Sequence, residues 1–378
     1  MMGSFSFGRL LAVMVKELIQ MRRDRLTFAM MVGVPILQLI LFGFAINADP
    51  KRLPTALLVA DPSPFSRSLT AAMGNSGYFD LRHSATDPTE IDRLLATGRV
   101  QFAITIPVGF SRDLQRGERP TMLVEADATD PAATSNALAA LAVIARQALN
   151  ADLVGPLAGL RADPDPIDLR IHRRYNPDGI TQYNVVPGLM GVVLSMTMVM
   201  MTALAVTRER ERGTMENLLA MPVRPFEVML GKIVPFIGVG YIQVVLIVAA
   251  ARLLFGVPIV GSLWLLSAVL VVFIAANLAV GFTFSTLAKN QLQAMQMSFF
   301  FFLPSVLLSG FMFPFRGMPG WAQTVGEVLP LTHFLRIVRG ILLKGNGLAE
   351  IAGELVPLVA FLAVVTALAL KRYRQTLD

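Results

Sequence analysis

The sequence predicts an α-helical polytopic membrane protein: six transmembrane helices, an N-terminal amphipathic interfacial helix and an inserted α/β extracytoplasmic domain. Three observations predict it. Of 378 residues, 54% are hydrophobic and 16% charged, with a mean hydropathy of +0.60; a soluble domain carries about 25% charged residues. Long charge-free runs recur along the chain, and a helix needs about 20 apolar residues to cross about 30 Å of hydrocarbon. Between the first two runs, residues 47–182 return to a soluble composition rich in Pro, Asp, Arg and Thr.

The runs Leu26–Ala48, Tyr183–Thr207, Ile233–Ala251, Leu263–Ala288 and Asn290–Phe315 contain no charged side chain. A sixth, Ile351–Leu370, holds Glu354 near one end, where the carboxylate belongs at the interface. The chain therefore divides into an interfacial helix (1–25), a first span (26–46), the inserted domain (47–182) and five further spans (183–378). An outer re-entrant region is expected over 313–347, where glycines and prolines interrupt the apolar pattern.

Charge sets the orientation. Arg9, Lys16, Arg22, Arg23 and Arg25 precede the first span; Arg208, Arg210, Arg212, Arg224 and Lys232 separate the second from the third; Lys371, Arg372 and Arg374 follow the sixth. Basic residues stay on the cytoplasmic side, so both termini are expected in the cytoplasm of a cell bounded by an inner membrane. The net charge of +7 and pI near 10.0 fit a membrane surface. Nucleic-acid binding is excluded as a reading, because the basic residues flank apolar runs instead of clustering with stacking aromatics.

Over the first 25 residues, Leu10, Leu11, Met14, Leu18 and Met21 share one face of a helix, with Arg9, Lys16, Gln20 and Arg23 opposite. That pattern suits a helix lying on the membrane. In the inserted domain, short apolar strands (Thr55–Ala60, Phe79–Ser84, Gln101–Ile106, Met122–Ala126, Asp168–His172) alternate with capped helices. Ser63-Pro64, Asp87-Pro88-x-Glu90 and Asp130-Pro131 supply N-caps followed by a first-turn proline. The last of these opens an Ala/Leu helix expected to reach Val154.

No enzyme constellation is present. His83, His172 and His333 are scattered, there is no cysteine, no Gly-x-Ser-x-Gly elbow and no Walker A loop. No cofactor site is expected in this chain. No Asp, Glu, Lys or Arg falls mid-span, which argues against ion-coupled transport because ion paths use such groups. A membrane-anchored sensing or assembly protein remains a second alternative on composition alone.

The sharpest local feature is the cytoplasmic segment 208–222. Arg208, Glu209, Arg210, Glu211 and Arg212 end the second span; Gly213 permits a turn, Thr214 caps a short helix with Glu216 in its first turn, and Pro222 ends it. A short helix held between two spans is suited to docking a soluble partner; the plainer reading is a solvated charge run beside the membrane.

This segment resembles the Arg-Glu-x-x-x-Gly-Thr-x-Glu/Asp segment of type-2 ABC exporter permeases. Lys16-Glu17-Leu18, Tyr175-Asn176-Pro177, Val186-Pro187, Leu307-Leu308-Ser309-Gly310, Met318-Pro319-x-Trp321 and Pro330-Leu331-Thr332-His333-Phe334 extend the likeness in the same order. The resemblance implies a permease moving hydrophobic or amphipathic molecules outward. It also implies an ABC ATPase on a separate chain, which binds ATP and Mg and docks against 208–222 and the Lys16–Glu17 region. A second permease, periplasmic adaptor and outer-membrane channel are further partners it implies.

Two polar stripes lie within the spans. Asn184, Gly188, Gly191, Ser195 and Thr202 recur at helical spacing in the second, and Ser298, Phe302, Ser305 and Ser309 in the fifth. Small and hydroxylic stripes serve either as packing seams between membrane helices or as the lining of a substrate path; spacing does not separate the two.

Overall fold

The computed structural model describes residues 50–162, 166–211 and 225–375. The expected interfacial helix, the first span, Lys16, Glu17, Gly213, Thr214 and Glu216 lie outside the described residues. Helix geometry is described for Glu209 and Arg210, without their side chains.

Residues 50–174 form an α/β unit. Its strands are β1 (Leu53–Val59), β2 (Phe79–Ser84), β3 (Phe102–Ile106), β4 (Thr121–Asp127) and β5 (Asp168–Arg174). Its helices are α1 (Pro64–Asn75), α2 (Pro88–Ala96), α3 (Phe110–Gln115) and α4 (Pro131–Gln147). Sheet order is β2-β1-β3-β4-β5, with β3 and β4 antiparallel and every other pair parallel. This order places β4 and its C-terminal Asp127 beside β5, the strand that leads to the membrane helices.

The side-chain alternation of β1 and β3 explains the two layers. Phe102 and Ile104 point to one face, where Phe65, Leu69 and Met73 of α1 and Leu138 and Leu141 of α4 cover them. Ala56 and Ala103 point to the other, where Ile91 and Leu95 of α2 pack.

The caps form much as expected. Ser63 and Ser66 make a reciprocal capping box, Asp87 accepts from the Glu90 N–H at 2.8 Å, and Asp130 accepts from the Ala132 N–H at 3.2 Å. Glu90 reaches back to the Thr86 N–H at 3.0 Å, one residue beyond the cap. The Ala/Leu helix is shorter than expected: α4 ends at Gln147, and a 3-10 turn over Gly155–Ala162 follows.

The remaining helices are α5 (Thr181–Glu211), α6 (Pro225–Leu253), α7 (Leu263–Leu287), α8 (Gln291–Leu308), α9 (Gly320–Gly326), α10 (Pro330–Arg339) and α11 (Leu348–Gln375). Among the described residues, five helices are long and apolar enough to cross a membrane: α5, α6, α7, α8 and α11. The fifth sequence run is broken earlier than its lack of charge suggested. α8 stops at Leu308, Gly310 adopts φ +83°, and a 3-10 turn at Phe315–Gly317 leads to α9. α10 ends in a π-turn, Gly340–Lys344, closed by Gly345 at φ +74°.

α5 and α7 form the centre of the helical layer. Leu194, Met198 and Val206 of α5 pack with Leu270, Phe273 and Leu278 of α7 and Phe334 of α10. The Phe273 and Phe334 rings stack with centroids 4.0 Å apart. Hydrogen bonds cross the layer from Thr197 Oγ1 to Gln243 Oε1 at 2.9 Å and from Tyr241 OH to the Ser267 carbonyl at 2.8 Å.

Candidate functional site: helix seams and a charged joint

Small residues on α5 let its neighbours approach closely. A Cβ at Gly188 would lie 2.7 Å from the Phe311 ring, and one at Gly191 2.7 Å from Leu331 and 2.8 Å from Phe334. Ser195 and Thr202 are buried, and Thr202 meets Gly281 of α7. This stripe therefore lies against the chain's own helices. Asn184, near its N-terminal end, is buried and donates to Asp130 Oδ1 at 3.2 Å, tying the helix to the α/β unit.

The α8 stripe turns inward as well. Ser298, Ser305 and Ser309 are buried and donate to their own helix carbonyls: Ala294 (2.8 Å), Phe301 (2.7 Å) and Val306 (3.1 Å). Ser305 sits beside Pro304, whose missing N–H interrupts the helix ladder. Phe302 packs partly buried against the central cluster. The faces that the chain leaves uncovered carry other residues: Leu189, Met196 and Met201 on α5, and Met295, Phe299 and Phe300 on α8.

At the far end of α5, Arg208 is exposed, and the Glu211 carboxylate binds both the backbone N–H and the side-chain amide of Gln291. Glu211 thus joins the end of α5 to the start of α8, near the N-cap Asn290. The sequence signal was visible in the Arg-Glu-Arg-Glu-Arg run; its partner Gln291, 80 positions away, was not.

Among the described residues, a dense polar arrangement is one that sequence reasoning passed over. It lies where the α/β unit meets α10, the π-turn and α11. Lys344 binds the Asp127 carboxylate with both side chains 8% exposed, and donates to the Leu95 carbonyl at 3.0 Å. Asn346 donates to the Ala96 carbonyl at 2.9 Å. Tyr175, under the Lys344 ammonium, has left-handed backbone geometry (φ 69°), and burial beside Asp127 pushes its phenol up to about 12. Asn176 is fully buried and binds Ile180 through both side-chain atoms, which shapes the turn into α5.

Beside this joint, Arg336 forks between Glu327 (2.7 Å) and Glu354 (3.1 Å). His333 Nδ1 lies 2.6 Å from Glu354 Oε2, and Nε2 lies 2.8 Å from the Glu327 carbonyl oxygen. Both partners are acceptors, so Nε2–H donates to the carbonyl and a proton is held between Nδ1 and Glu354. The sequence alone puts Glu354 at an interface and His333 among scattered histidines. A helical turn brings His333 and Arg336 together, and only the return of α11 supplies Glu354.

A model of the family described as ABC-2 family transporter protein matches residues 25–371. The chain belongs to the ABC-2 transporter family. It is a multi-pass membrane permease subunit of an ABC exporter. It is 29% identical over 349 residues to the probable multidrug ABC transporter permease YbhS of Escherichia coli K12, covering 90% of each chain. It is 28% identical to YbhR of the same strain, described in the same words, over 90% of this chain and 92% of that one. It is also 30% identical to the E. coli inner membrane transport permease YhhJ, over 90% of this chain and 93% of that one. The family model spans both stripes, the segment 208–222 and the charged joint.

Proposed function

We propose that this permease exports hydrophobic or amphipathic molecules across the inner membrane, driven by an ABC ATPase on a separate chain that binds ATP and Mg. The observation that carries the docking side is the geometry of α5. Asn184 at its start contacts Asp130 of the α/β unit. The whole helix, Thr181–Glu211, is 31 residues long, about 46 Å at 1.5 Å per residue. That length supports a segment 208–222 that begins on the membrane face opposite the α/β unit, where the basic flanks point to cytoplasm.

In this reading the chain has six spans, with the first within residues 26–46, and the α/β unit of 47–182 stands outside the cytoplasm. Arg208, Glu209, Arg210, Gly213, Thr214 and Glu216, with Lys16 and Glu17, meet the ATPase. Two permeases pair, as a homodimer or with a sister chain, and an adaptor and outer-membrane channel complete the route. The uncovered Met and Phe faces of α5 and α8 support a pathway between paired permeases that suits apolar molecules, since Met and aromatic side chains adapt to varied ligands. Asn184, Gly188, Gly191, Ser195, Ser298, Phe302, Ser305 and Ser309 then hold that wall from behind or border its slit.

Two experiments test the reading. Glu209→Lys and Glu216→Lys are expected to leave the permease inserted while reducing ATPase co-purification and export at least tenfold, because charge reversal at a desolvated contact costs several kcal/mol. Unchanged co-purification in both variants would return the segment to a solvated charge run. For orientation, cysteines introduced at the exposed positions Glu118 and Ser262 should react with an impermeant thiol reagent from outside intact cells, whereas Arg208→Cys and Lys371→Cys should not. Outside labelling at Arg208→Cys would invert the topology and remove the docking argument.

A further inference from the structure

A cavity of about 170 Å³ lies in the joint between the α/β unit and the ends of α8, α10 and α11. One water needs about 10–15 Å³ measured this way, so the space accommodates a small polar group with its hydration. Its charged walls mostly satisfy one another. Lys344 is bound to Asp127, Arg336 to Glu354, and Glu350 accepts from the Gly347 N–H at 2.9 Å.

Arg316, Arg339 and Asp130 are left. Arg339 donates only to the Gly310 carbonyl, at 3.3 Å, while its Nε and Nη2 are shut from solvent without a partner. Arg316 is exposed at the mouth and forms no ion pair among the described residues. Asp130 is already engaged by Ala132 and Asn184. Burial raises its carboxyl above the ordinary range, although Arg339 pulls the other way. Arg339 thus faces the Asp130 carboxylate, and Arg316 lines the same cavity. Buried donors without acceptors are rare and costly, and a guanidinium fork matches tetrahedral oxyanions in geometry and charge.

We propose that this cavity binds a phosphate-type oxyanion, with Arg316 at its mouth and Arg339 at its base as the ligands. The inference stands on the joint itself and does not depend on what the transporter carries. A free phosphate and the phosphate of a lipid headgroup share this chemistry, and the joint adjoins the start of two membrane helices, where headgroups lie.

The test uses the full-length chain in a phosphate-free maltoside detergent, following the thermal unfolding midpoint. Inorganic phosphate, against chloride at matched ionic strength, should raise the wild-type midpoint, as any ligand of the folded state does. Arg316→Gln, at an exposed position where folding is spared, should weaken the apparent affinity about tenfold. Asp130→Asn should strengthen it by removing the competing carboxylate, a gain that a merely structural role would not produce. Dispersed phosphatidylglycerol is then compared with a diacylglycerol of the same chains. A rise with phosphatidylglycerol alone, to which phosphate adds nothing, assigns the site to a lipid headgroup; a rise with inorganic phosphate but none from the lipid assigns it to the free ion. Absence of any shift from both, or equal shifts in wild type, Arg316→Gln and Asp130→Asn, overturns the proposal.

Discussion

Lys344→Met should destabilise the protein by about 3–5 kcal/mol, the usual consequence of stripping one partner from a buried ion pair. Lys344 and Asp127 are equally enclosed, and no solvent is at hand to rehydrate the carboxylate left behind. Asp127 would keep only the Thr129 N–H at 3.1 Å and the Thr129 hydroxyl at 2.8 Å. Lys344 also anchors the π-turn to α2 through the Leu95 carbonyl, so its loss leaves the joint there held by the Asn346 bond to the Ala96 carbonyl. Two readouts follow: a lower unfolding midpoint in detergent, and faster proteolysis at the Tyr175–Ile180 turn. The double variant Lys344→Met with Asp127→Leu should recover most of the midpoint, because no unpaired charge then remains. If Lys344→Met unfolds at the wild-type temperature, the pair is not what joins the two layers.

Gly281→Val should be comparably damaging, for a steric reason. A Cβ at Gly281 would lie 2.4 Å from the Val199 carbonyl oxygen of α5 and 3.0 Å from Thr202. Backbone cannot rotate aside as a side chain can, so α5 and α7 must separate along their shared seam. Overpacking a core usually costs about 1–3 kcal/mol, and a rigid neighbour puts this site at or above the top of that range. Gly238→Val on α6, where a Cβ meets nothing within 4 Å, is the control. The expected result is a collapse in folded yield for Gly281→Val and near-normal yield for Gly238→Val. Equal yields would mean that the α5–α7 contact is loose.

The positions of the strands and long helices followed from local physics that the sequence carries openly. Charge-free length marks the spans, because no charge can remain unpaired in hydrocarbon. Ser63, Asp87 and Asp130 mark helix starts, because a side-chain acceptor followed by proline satisfies the first free N–H groups. The family was legible too, since its motifs recur in order along nearly the whole chain.

Which neighbours a stripe or a charge meets was decided only by the fold. Gly188 and Gly191 have the same spacing whether they face a path or Phe311 and Phe334; the turn after α8 and the approach of α10 supply those neighbours. The end of α8 at Leu308 depended on Gly310 reaching positive φ and on the following turn, not on a change in polarity. The charged joint was the least legible part. Asp127 and Lys344 stand 217 positions apart, and His333 and Glu354 come from different helices. Sequence determines which residues must leave water or cap a helix, because those are local free energies. Which charges become partners depends on long-range packing, and that is a property of the tertiary structure alone.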